Sequence, residues 1–475
     1  MVCDLMIKVL FLENMWHEKL GIMTLSSILK ENGHKCDIFI GDGNKIINYL
    51  EKTDPDVIAF SCMNIQYEWV KNTCKNIKNA GFKIPIIVGG PHPTFFPEII
   101  KDQNINIICL GEGEYSILEL ADKIEKGEEI KDIKNIWIKT KNTIYRNELR
   151  PLIEDLDELP FPDREIYKKY NYFRKNPYEI FSASRGCPFN CSFCYNHAKL
   201  KLYLGKGKYV RWRSVKNIIE EIKLVNEKIK VKAVMFIDDT FNLNNKWAIS
   251  FFEEYKDEID IPFSCNVRAE LVNEELVKTM SKSNCLNIRF AIETGNEKLR
   301  NGVLRKNITN DEIIRAARLF QKYKIEIITF NMFGLPGETL NNAWETIELN
   351  QQIKPNAMDF EVFMPYPNLE LTNYAIKNGF MKIEDLEKLS MGKYRVFRSI
   401  LKQKDINDVC NLHKFSLIAS RYPRLRPIIN NLIKLPQNFI FEGLYGITQA
   451  YNFMKWTKNK KRIITDIIKN FKQLT

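Results

Sequence analysis

Three cysteines lie close together with the spacing Cys187-x3-Cys191-x2-Cys194. They directly follow a predicted strand, and a loop at the end of a strand can wrap three thiolates around one metal centre. Three thiolates without a fourth cysteine do not close a tetrahedral zinc site, but they fit an iron–sulfur cluster with one iron left open. Because an open iron can bind a substrate or cofactor, this loop is the first candidate for a reaction centre.

The cysteine loop belongs to a series of strands that alternate with helices. The predicted strands are 179–184, 232–237, 262–267, 286–292, 325–331 and 358–363. The predicted helices are 214–229, 245–257, 273–282, 310–323 and 340–352. Six such units are too few for an eight-unit barrel, so the pattern predicts a partial (β/α)6 TIM-like barrel with the cysteines at its active face.

An earlier alternation predicts an α/β domain with a doubly wound parallel sheet. Its expected strands are 7–12, 36–40, 57–61, 84–89 and 105–110, and its expected helices are 23–32, 67–80, 98–102 and 115–125. Glycines follow the last two strands at Gly89-Gly90 and Gly111-Glu112-Gly113. The carboxyl ends of parallel strands form a ligand crevice, although glycines at such places also serve tight turns alone.

The cysteine motif, with Phe193 before its last cysteine, resembles the signature of radical S-adenosylmethionine (SAM) enzymes. The N-terminal domain resembles the cobalamin-binding domain of the cobalamin-dependent branch of that superfamily. The other family-like stretches are Arg211-Trp212-Arg213-Ser214, Phe236 to Phe241, Ala291 to Gly295, Phe333 to Glu338 and Pro365 to Asn368. The resemblance covers about residues 7–375.

This resemblance implies a domain order for the chain. We expect a cobalamin-binding-like Rossmann-type domain at 1–130 and a linker with a small hairpin at 131–175. A radical SAM partial barrel at 176–378 and a basic helical region at 379–475 follow.

The resemblance also implies the cofactors: a 4Fe-4S cluster on the three cysteines, SAM on the open iron, and cobalamin. The residues expected to bind SAM are Phe193, Tyr195, Asp238, Asp239, Arg268, Glu293, Asn331 and Gly334. An acid suits the SAM ammonium group and an arginine its carboxylate. For each of these polar residues an ion pair or cap that holds the barrel is the alternative role.

The residues expected to contact cobalamin stand at the ends of the third, fourth and fifth strands. They are Ser61, Met63, Gly89, Gly90, Gly111, Glu112 and Gly113. The Asp-x-His-x-x-Gly motif that carries a cobalt-ligating histidine is absent from the first loop, where His17 has the wrong spacing. The radical enzymes often lack this ligand, so its absence leaves the expectation in place.

The reaction expected from the resemblance is cleavage of SAM to a 5′-deoxyadenosyl radical, followed by methylation of an unactivated carbon through methylcobalamin. A flavodoxin or ferredoxin would supply electrons, and the substrate would be a small molecule, a peptide or a lipid-like compound. The alternatives are a cyclisation, rearrangement or oxidation without methyl transfer, and a non-catalytic cluster-binding protein. A tRNA methylthiotransferase-like enzyme would need a second cluster on Cys36, Cys74 and Cys109. We expect buried structural thiols there, since Cys74 falls within a helix and Cys109 inside an apolar strand.

The positive charge of the chain is concentrated at its C-terminal end. The net charge is +12, and residues 391–475 contain 17 Lys/Arg against 4 Asp/Glu, whereas the remaining residues contain 54 against 55. A solvated helical cap on the barrel is one interpretation. The other is contact with an anionic membrane surface or an apolar substrate, which the apolar stretch 439–456 favours over nucleic acid. With no signal-peptide pattern at the start, we expect a cytoplasmic protein that is anaerobic in its chemistry, with peripheral membrane contact as a further expectation.

Overall fold

The computed structural model describes residues 6–141, 143–386 and 397–456. The N-terminal strands are β1 (Lys8–Glu13), β2 (Lys35–Ile40), β3 (Val57–Ser61), β4 (Ile86–Gly89), β5 (Ile107–Cys109), β6 (Ile136–Lys139) and β7 (Ile144–Arg146). The helices are α1 (Leu20–Glu31), α2 (Asn44–Thr53), α3 (Tyr67–Asn79), α4 (Pro91–Phe95) and α5 (Glu114–Glu125). The strand order is β2-β1-β3-β4-β5-β6-β7. The first five strands run parallel, which confirms the doubly wound α/β class.

The sheet forms because its strands are apolar on both faces. Along β1, Val9 and Phe11 enter the core under α1 and α5, whereas Leu10 and Leu12 enter the core on the opposite face. Burial of each such side chain contributes roughly 1.5–3 kcal/mol. Parallel strands covered on both faces need this continuous apolar pattern.

This domain differs from the sequence expectations in several features. The hairpin that we placed in the linker extends the sheet, because β6 pairs antiparallel with β5. Helix α2 was not expected, and the expected helix at 98–102 is a 3-10 helix at Pro97–Lys101. Its single turn suits a segment that begins with proline.

A connecting segment packs against both domains. It contains α6 (Glu165–Lys168) and α7 (Asn171–Arg174). Ser26 of α1 donates to Asp163 at 2.6 Å, which ties the segment to the N-terminal domain. Arg164 of the segment bonds Glu179 and Glu221 of the barrel domain at 3.1 and 2.7 Å, and all three side chains are buried. The connecting segment therefore joins the two domains through direct contacts with each of them.

The second domain is the partial barrel. Its parallel strands are β8 (Tyr178–Phe181), β11 (Ala233–Phe236), β12 (Phe263–Asn266), β13 (Cys285–Glu293), β14 (Glu326–Phe333) and β15 (Ala357–Val362). A separate antiparallel pair is formed by β9 (Ser184–Arg185) and β10 (Arg211–Trp212). The helices are α8 (Tyr195–Leu202), α9 (Val215–Ile229), α10 (Asn245–Glu258), α11 (Glu274–Lys282), α12 (Asn310–Lys322), α13 (Leu340–Ile353) and α14 (Glu370–Lys377). The order β15-β14-β13-β12-β11-β8 confirms six parallel strands in an open barrel.

The C-terminal helices cover the free edge of β15. They are α15 (Ile406–Arg421), α16 (Arg426–Leu432) and α17 (Phe439–Trp456). The carbonyl of Phe360 accepts bonds from His413 and Tyr445, both at 2.8 Å, and that of Met358 accepts one from Asn452 at 2.7 Å. These side chains occupy backbone acceptors that an edge strand would otherwise leave unpaired. Within residues 397–456 the expected helical C-terminal region is confirmed, whereas residues 387–396 and 457–475 of that expectation lie outside the described residues. Among the described helices none has the length and apolar character to span a bilayer.

Candidate active site

The cysteine loop begins at a sharp turn after β9. Gly186 has a φ of +89°, and a Cβ at this position would lie 2.3 Å from the Tyr209 carbonyl oxygen. Only glycine fits this backbone conformation and this spacing. The turn places Cys187 at the mouth of the barrel, beyond the carboxyl end of β8.

Each cysteine sulfur lies near a polar group. Thr240 Oγ1 is 3.8 Å from Cys187 Sγ, Arg268 Nη1 is 3.7 Å from Cys191 Sγ, and the Asn196 amide is 3.4 Å from Cys194 Sγ. Such donors stabilise thiolates bound to a metal centre. Burial raises the pKa of Cys187 and raises that of Cys194 to about 11, so both thiols hold their protons until a metal displaces them.

The ligand set of the loop fits a cluster better than a closed zinc site. In the described ranges the three sulfurs do not form a group whose atoms all lie within 4.8 Å of one another, as ligands of one ion would. His197, three residues after Cys194, bonds Glu370 at 2.9 Å and so has another partner. Three thiolates without a fourth protein ligand match a four-iron cluster with one iron free of protein ligands.

The neighbouring acids Asp238 and Asp239 have different surroundings. Asp238 is buried and accepts bonds from the Ala183 amide at 3.0 Å and the Ser184 hydroxyl at 2.5 Å. Burial raises its pKa to about 6. Asp239 is exposed to the cavity described below and carries a side-chain bond to Asn196. Both acids line that cavity, but Asp238 is buried and bonded to the loop, whereas Asp239 is exposed to a ligand that binds there.

Arg268 and Glu293 stand close to the cysteines within a buried charge network. The Arg268 guanidinium lies 3.5 Å from the centroid of the Phe189 ring and donates to the Lys306 carbonyl at 2.7 Å. The Lys306 ammonium group in turn pairs with Glu293 at 2.7 Å. The structure thus brings both expected residues to the cluster side of the barrel, each with a protein partner.

Phe193, Tyr195 and Gly334, which were also expected to bind SAM, have different surroundings. Phe193 packs in an apolar cluster with Leu335 and Leu371. The Tyr195 hydroxyl accepts a bond from Asn64 of the N-terminal domain at 2.8 Å. The amide of Gly334 donates to Glu338 at 2.5 Å, and burial raises the pKa of that glutamate to about 8.

Asn331 does not join the other expected SAM residues. Its side chain bonds Asn350 of α13 at 2.8 Å and the Asp359 carbonyl at 3.0 Å. It therefore lies on the helix side of β14, away from the barrel interior. A strand alternates its side chains between faces, so this position is set by the register.

One cavity of about 410 Å³ lies between the two domains. Six of the seven residues expected to contact cobalamin line it, namely Ser61, Gly89, Gly90, Gly111, Glu112 and Gly113, whereas Met63 is not among the lining residues. From the barrel side Ser184, Arg185, Gly186, Asn196, Lys199 and Asp239 line it. Because glycine has no side chain, a large flat ligand can contact the backbone closely at the carboxyl ends of these parallel strands. In this respect the cavity fits cobalamin.

Gly111 has an additional reason for being glycine. Its φ is +72°, and a Cβ would lie 1.8 Å from the Tyr203 hydroxyl of the barrel domain. The same hydroxyl accepts a bond from the Glu112 amide at 3.0 Å. The glycine therefore permits contact between the domains at the rim of the cavity.

An interdomain ion cluster, made of Glu112, Glu114, Arg185 and Arg211, borders the cavity. Arg211 binds Glu112 through two bonds of 2.7 and 3.0 Å, and Arg185 lies 2.8 Å from Glu114 and 3.3 Å from Glu112. Burial alone would raise the pKa of Glu112, but the bonds from Arg211 and the charge of Arg185 outweigh it and hold the pKa at about 2. Glu112 therefore joins the domains as well as lining the cavity.

Lys199, Asp359 and Glu361 lie at the site but were not predicted from the sequence. Lys199 of α8 lines the cavity, burial lowers its pKa, and within the described chain it forms no ion pair within 4.0 Å.

On β15, Met358 and Phe360 pack outwards under the C-terminal helices, so Asp359 and Glu361 face the barrel interior. Burial raises the pKa of Glu361 to about 7. Charges that alternate with apolar residues in a buried strand were the available signal for this pair.

The three cysteines of a second cluster do not come together. Cys74 packs in the core on one face of the N-terminal sheet, and Cys36 and Cys109 pack on the other. Cys109 is the last residue of β5, not an interior residue as expected, because the strand ends before Leu110. Burial raises the pKa of all three thiols to about 12. The arrangement is that of structural thiols and disfavours a methylthiotransferase-like enzyme.

Comparison with known proteins agrees with this geometry. The B12 binding domain model matches residues 13–121, and the Radical SAM superfamily model matches residues 181–349. An uncharacterized methyltransferase of Pyrococcus horikoshii is 29% identical over 91% of this chain and 94% of its own length. An anaerobic magnesium-protoporphyrin IX monomethyl ester cyclase of Rubrivivax gelatinosus is 24% identical over 80% of this chain and 68% of its own length.

Solved structures share the fold. The cobalamin-dependent SAM radical enzyme OxsB, with aqua-cobalamin and SAM bound, has a TM-score of 0.68 and 18% identity, covering 98% of this chain and 75% of its own. The radical SAM methyltransferase TsrM from Kitasatospora setae, with cobalamin and a [4Fe-4S] cluster bound, has a TM-score of 0.66 and 15% identity, covering 79% and 76%.

The two domain matches account for the cofactors. The radical SAM domain implies a 4Fe-4S cluster and SAM, and the B12-binding domain implies cobalamin. Both domains contribute to the one cavity beside the cysteine loop. With both domains in this order, the chain is a radical SAM enzyme and belongs to the cobalamin-dependent (B12-binding domain) radical SAM family.

Proposed function

We propose that the protein is a cobalamin-dependent radical SAM methyltransferase that methylates an unactivated carbon. When bound, the cluster and SAM supply a carbon-centred radical that removes a hydrogen atom from the substrate, and cobalamin supplies the methyl group. The observation that carries the proposal is the shared cavity, since Gly89 and Gly111 of the N-terminal domain line it together with Gly186 and Asp239 of the barrel. Two reacting groups held across one cavity react as if in a single molecule.

The residues of the chain divide the binding of SAM between them. Asp239 presents a carboxylate to the cavity beside Cys194, where it can accept bonds from the SAM ammonium group. Lys199 is the counterpart for an anionic group, because it lines the same cavity and has no ion-pair partner in the described chain. Arg268 and Glu293 surround the cluster as a paired network instead. The charge pattern suits a zwitterionic ligand.

Asp239→Ala is expected to weaken SAM binding by tenfold or more, roughly the contribution of one charged hydrogen bond. Equilibrium dialysis of labelled SAM against the cluster-loaded protein measures the effect, and the iron content should stay at the wild-type level. The adjacent Asp238→Asn is the matched comparison. Because Asp238 bonds the Ala183 amide and the Ser184 hydroxyl, its loss should lower the melting temperature. Unchanged SAM affinity in Asp239→Ala would remove this residue from the proposed binding site.

The methyl-transfer step can be tested with labelled SAM. The anaerobically reconstituted protein, given a chemical reductant, should produce 5′-deoxyadenosine and take up hydroxocobalamin. With methyl-labelled SAM and a small-molecule extract of the source cells, label should appear in a carbon-bound methyl group. If 5′-deoxyadenosine forms but label never enters a product, the methyl-transfer proposal fails. The reaction would then be one without methyl transfer, such as a cyclisation.

A further inference from the structure

Helix α17 buries apolar and polar side chains against the protein and leaves further apolar side chains outside. The buried face contains Phe441, which packs against Phe415, and the polar residues Tyr445, Gln449 and Asn452. Tyr445 and Asn452 donate to the carbonyls of β15 at 2.8 and 2.7 Å, and Gln449 donates to the Tyr445 hydroxyl at 2.7 Å. Because the unpaired edge of β15 needs hydrogen-bond donors, Tyr445 and Asn452 attach the helix to the barrel through polar contacts, whereas Phe441 attaches its first turn through apolar packing.

The opposite side, which we call the outer face, is apolar and open. Phe439 is 80% exposed, Ile440 65%, Ile447 71% and Tyr451 49%. Residues 440, 447 and 451 follow the helical repeat, so their side chains form one stripe along the helix. Single exposed apolar residues are common, but a continuous stripe marks an interaction surface.

A basic group borders the outer face, since the Arg421 guanidinium lies 5.6 Å from the centroid of the Tyr451 ring. Arg424, three residues later, is exposed on the turn that follows α15. The adjoining Tyr422 is 60% exposed. In the sequence, residues 421–475 contain 11 Lys/Arg against 2 Asp/Glu. An apolar stripe with Arg421 at its side, in a part of the sequence with a strong net positive charge, is complementary to an anionic lipid surface.

We propose that the outer face of α17 binds the surface of an anionic membrane, with Phe439, Ile440 and Ile447 inserted between lipids and Arg421 and Arg424 against the headgroups. The helix lies in the plane of the interface and its polar side keeps its bonds to β15. This surface is independent of the cofactor cavity. It gives the enzyme a location at the membrane, where apolar substrates concentrate.

The test is cosedimentation of the full-length protein with phosphatidylcholine vesicles, with and without phosphatidylglycerol. Wild type should bind only the anionic vesicles, and high salt should release it. The double variant Phe439→Ser with Ile447→Ser should bind at least tenfold more weakly. Arg424→Gln should lose about fivefold. Leu204→Ser is the control. Leu204 is 72% exposed but belongs to the barrel domain and not to the outer face, so this variant should bind vesicles like wild type.

Three results would overturn the proposal. One is failure of the wild-type protein to bind anionic vesicles. The second is a dimer in analytical ultracentrifugation that the double variant dissociates, which would assign the face to a second copy of the chain. The third is salt-sensitive binding of RNA that exceeds the binding of vesicles and depends on the same residues. Circular dichroism of the double variant confirms that its helices remain, as expected for exposed positions.

Discussion

Cys191→Ala is expected to abolish the iron–sulfur centre and all formation of 5′-deoxyadenosine. A cluster attached to the protein by three thiolates loses a third of its ligands in this variant, and a small side chain leaves an iron exposed. Arg268 Nη1, 3.7 Å from the Cys191 sulfur in the wild type, would also lose its partner there. Iron and sulfide analysis after anaerobic reconstitution, followed by the SAM cleavage assay, measures both effects.

Cys265→Ala is the matched control. Cys265 is fully buried in β12 and packs in the core of the barrel, away from the cysteine loop. Removing one buried sulfur should cost about 1 kcal/mol of folding free energy and leave the iron content unchanged. A wild-type iron content in Cys191→Ala, or an equal loss of iron in both variants, would show that the three-cysteine loop does not hold the cluster.

The sequence predicted the two sheets because burial on both faces imposes apolar strands. Strands such as β1, with Val9 and Leu10 in opposite cores, can be recognised without any tertiary information. The pairing of β6 with β5 could not be recognised. A hairpin with alternating residues has the same pattern whether its outer strand pairs with a sheet or faces solvent.

The candidate site was predictable where it lies at strand ends. Gly89, Gly111 and Asp239 follow predicted strands, and all three line the cavity. Asn331 was expected to face the barrel interior, but its side chain lies on the helix side of β14. A shift of one residue along a strand moves a side chain to the opposite face, and the sequence does not fix the register that closely. The sequence located the strand end but not the direction in which this amide points.

Contacts between the domains could not be predicted from the sequence. Arg185 and Glu112 are more than seventy positions apart, and their ion pair depends on how the domains pack. The same holds for α17, whose buried polar residues Tyr445 and Asn452 are explained by the unpaired carbonyls of β15. A single helix with mixed polarity gives no sign of which side another element will cover.

Glu112→Gln is expected to destabilise the protein by about 3 kcal/mol at neutral pH, which makes it the second large effect. The side chain of Glu112 is 9% exposed and that of Arg211 is 3% exposed. Removing the negative charge leaves a buried guanidinium without its counterion, and breaking a buried pair in this way typically costs about 3–5 kcal/mol. Urea unfolding at pH 7 measures the change in the free energy of unfolding.

The pH dependence gives an independent check of the same pair. The pKa of Glu112 is about 2 in the folded protein, below the ordinary value of 4.5 that applies when the chain is unfolded. Its contribution to stability is therefore complete above the unfolded pKa and is lost as the pH falls from 4.5 towards 2. Wild type should lose stability more steeply than Glu112→Gln across this range. The difference should approach about 3 kcal/mol.

Glu119→Gln separates this effect from the loss of any acidic residue. Glu119 pairs with Arg150 on the same domain, and its side chain is 35% exposed. A pair of this kind contributes about 1 kcal/mol or less, because water solvates both charges. Since Glu112 joins the two domains and Glu119 does not, Glu112→Gln should also reduce the uptake of hydroxocobalamin, and Glu119→Gln should not. Equal stability losses in the two variants would show that the interdomain ion cluster does not hold the cavity together.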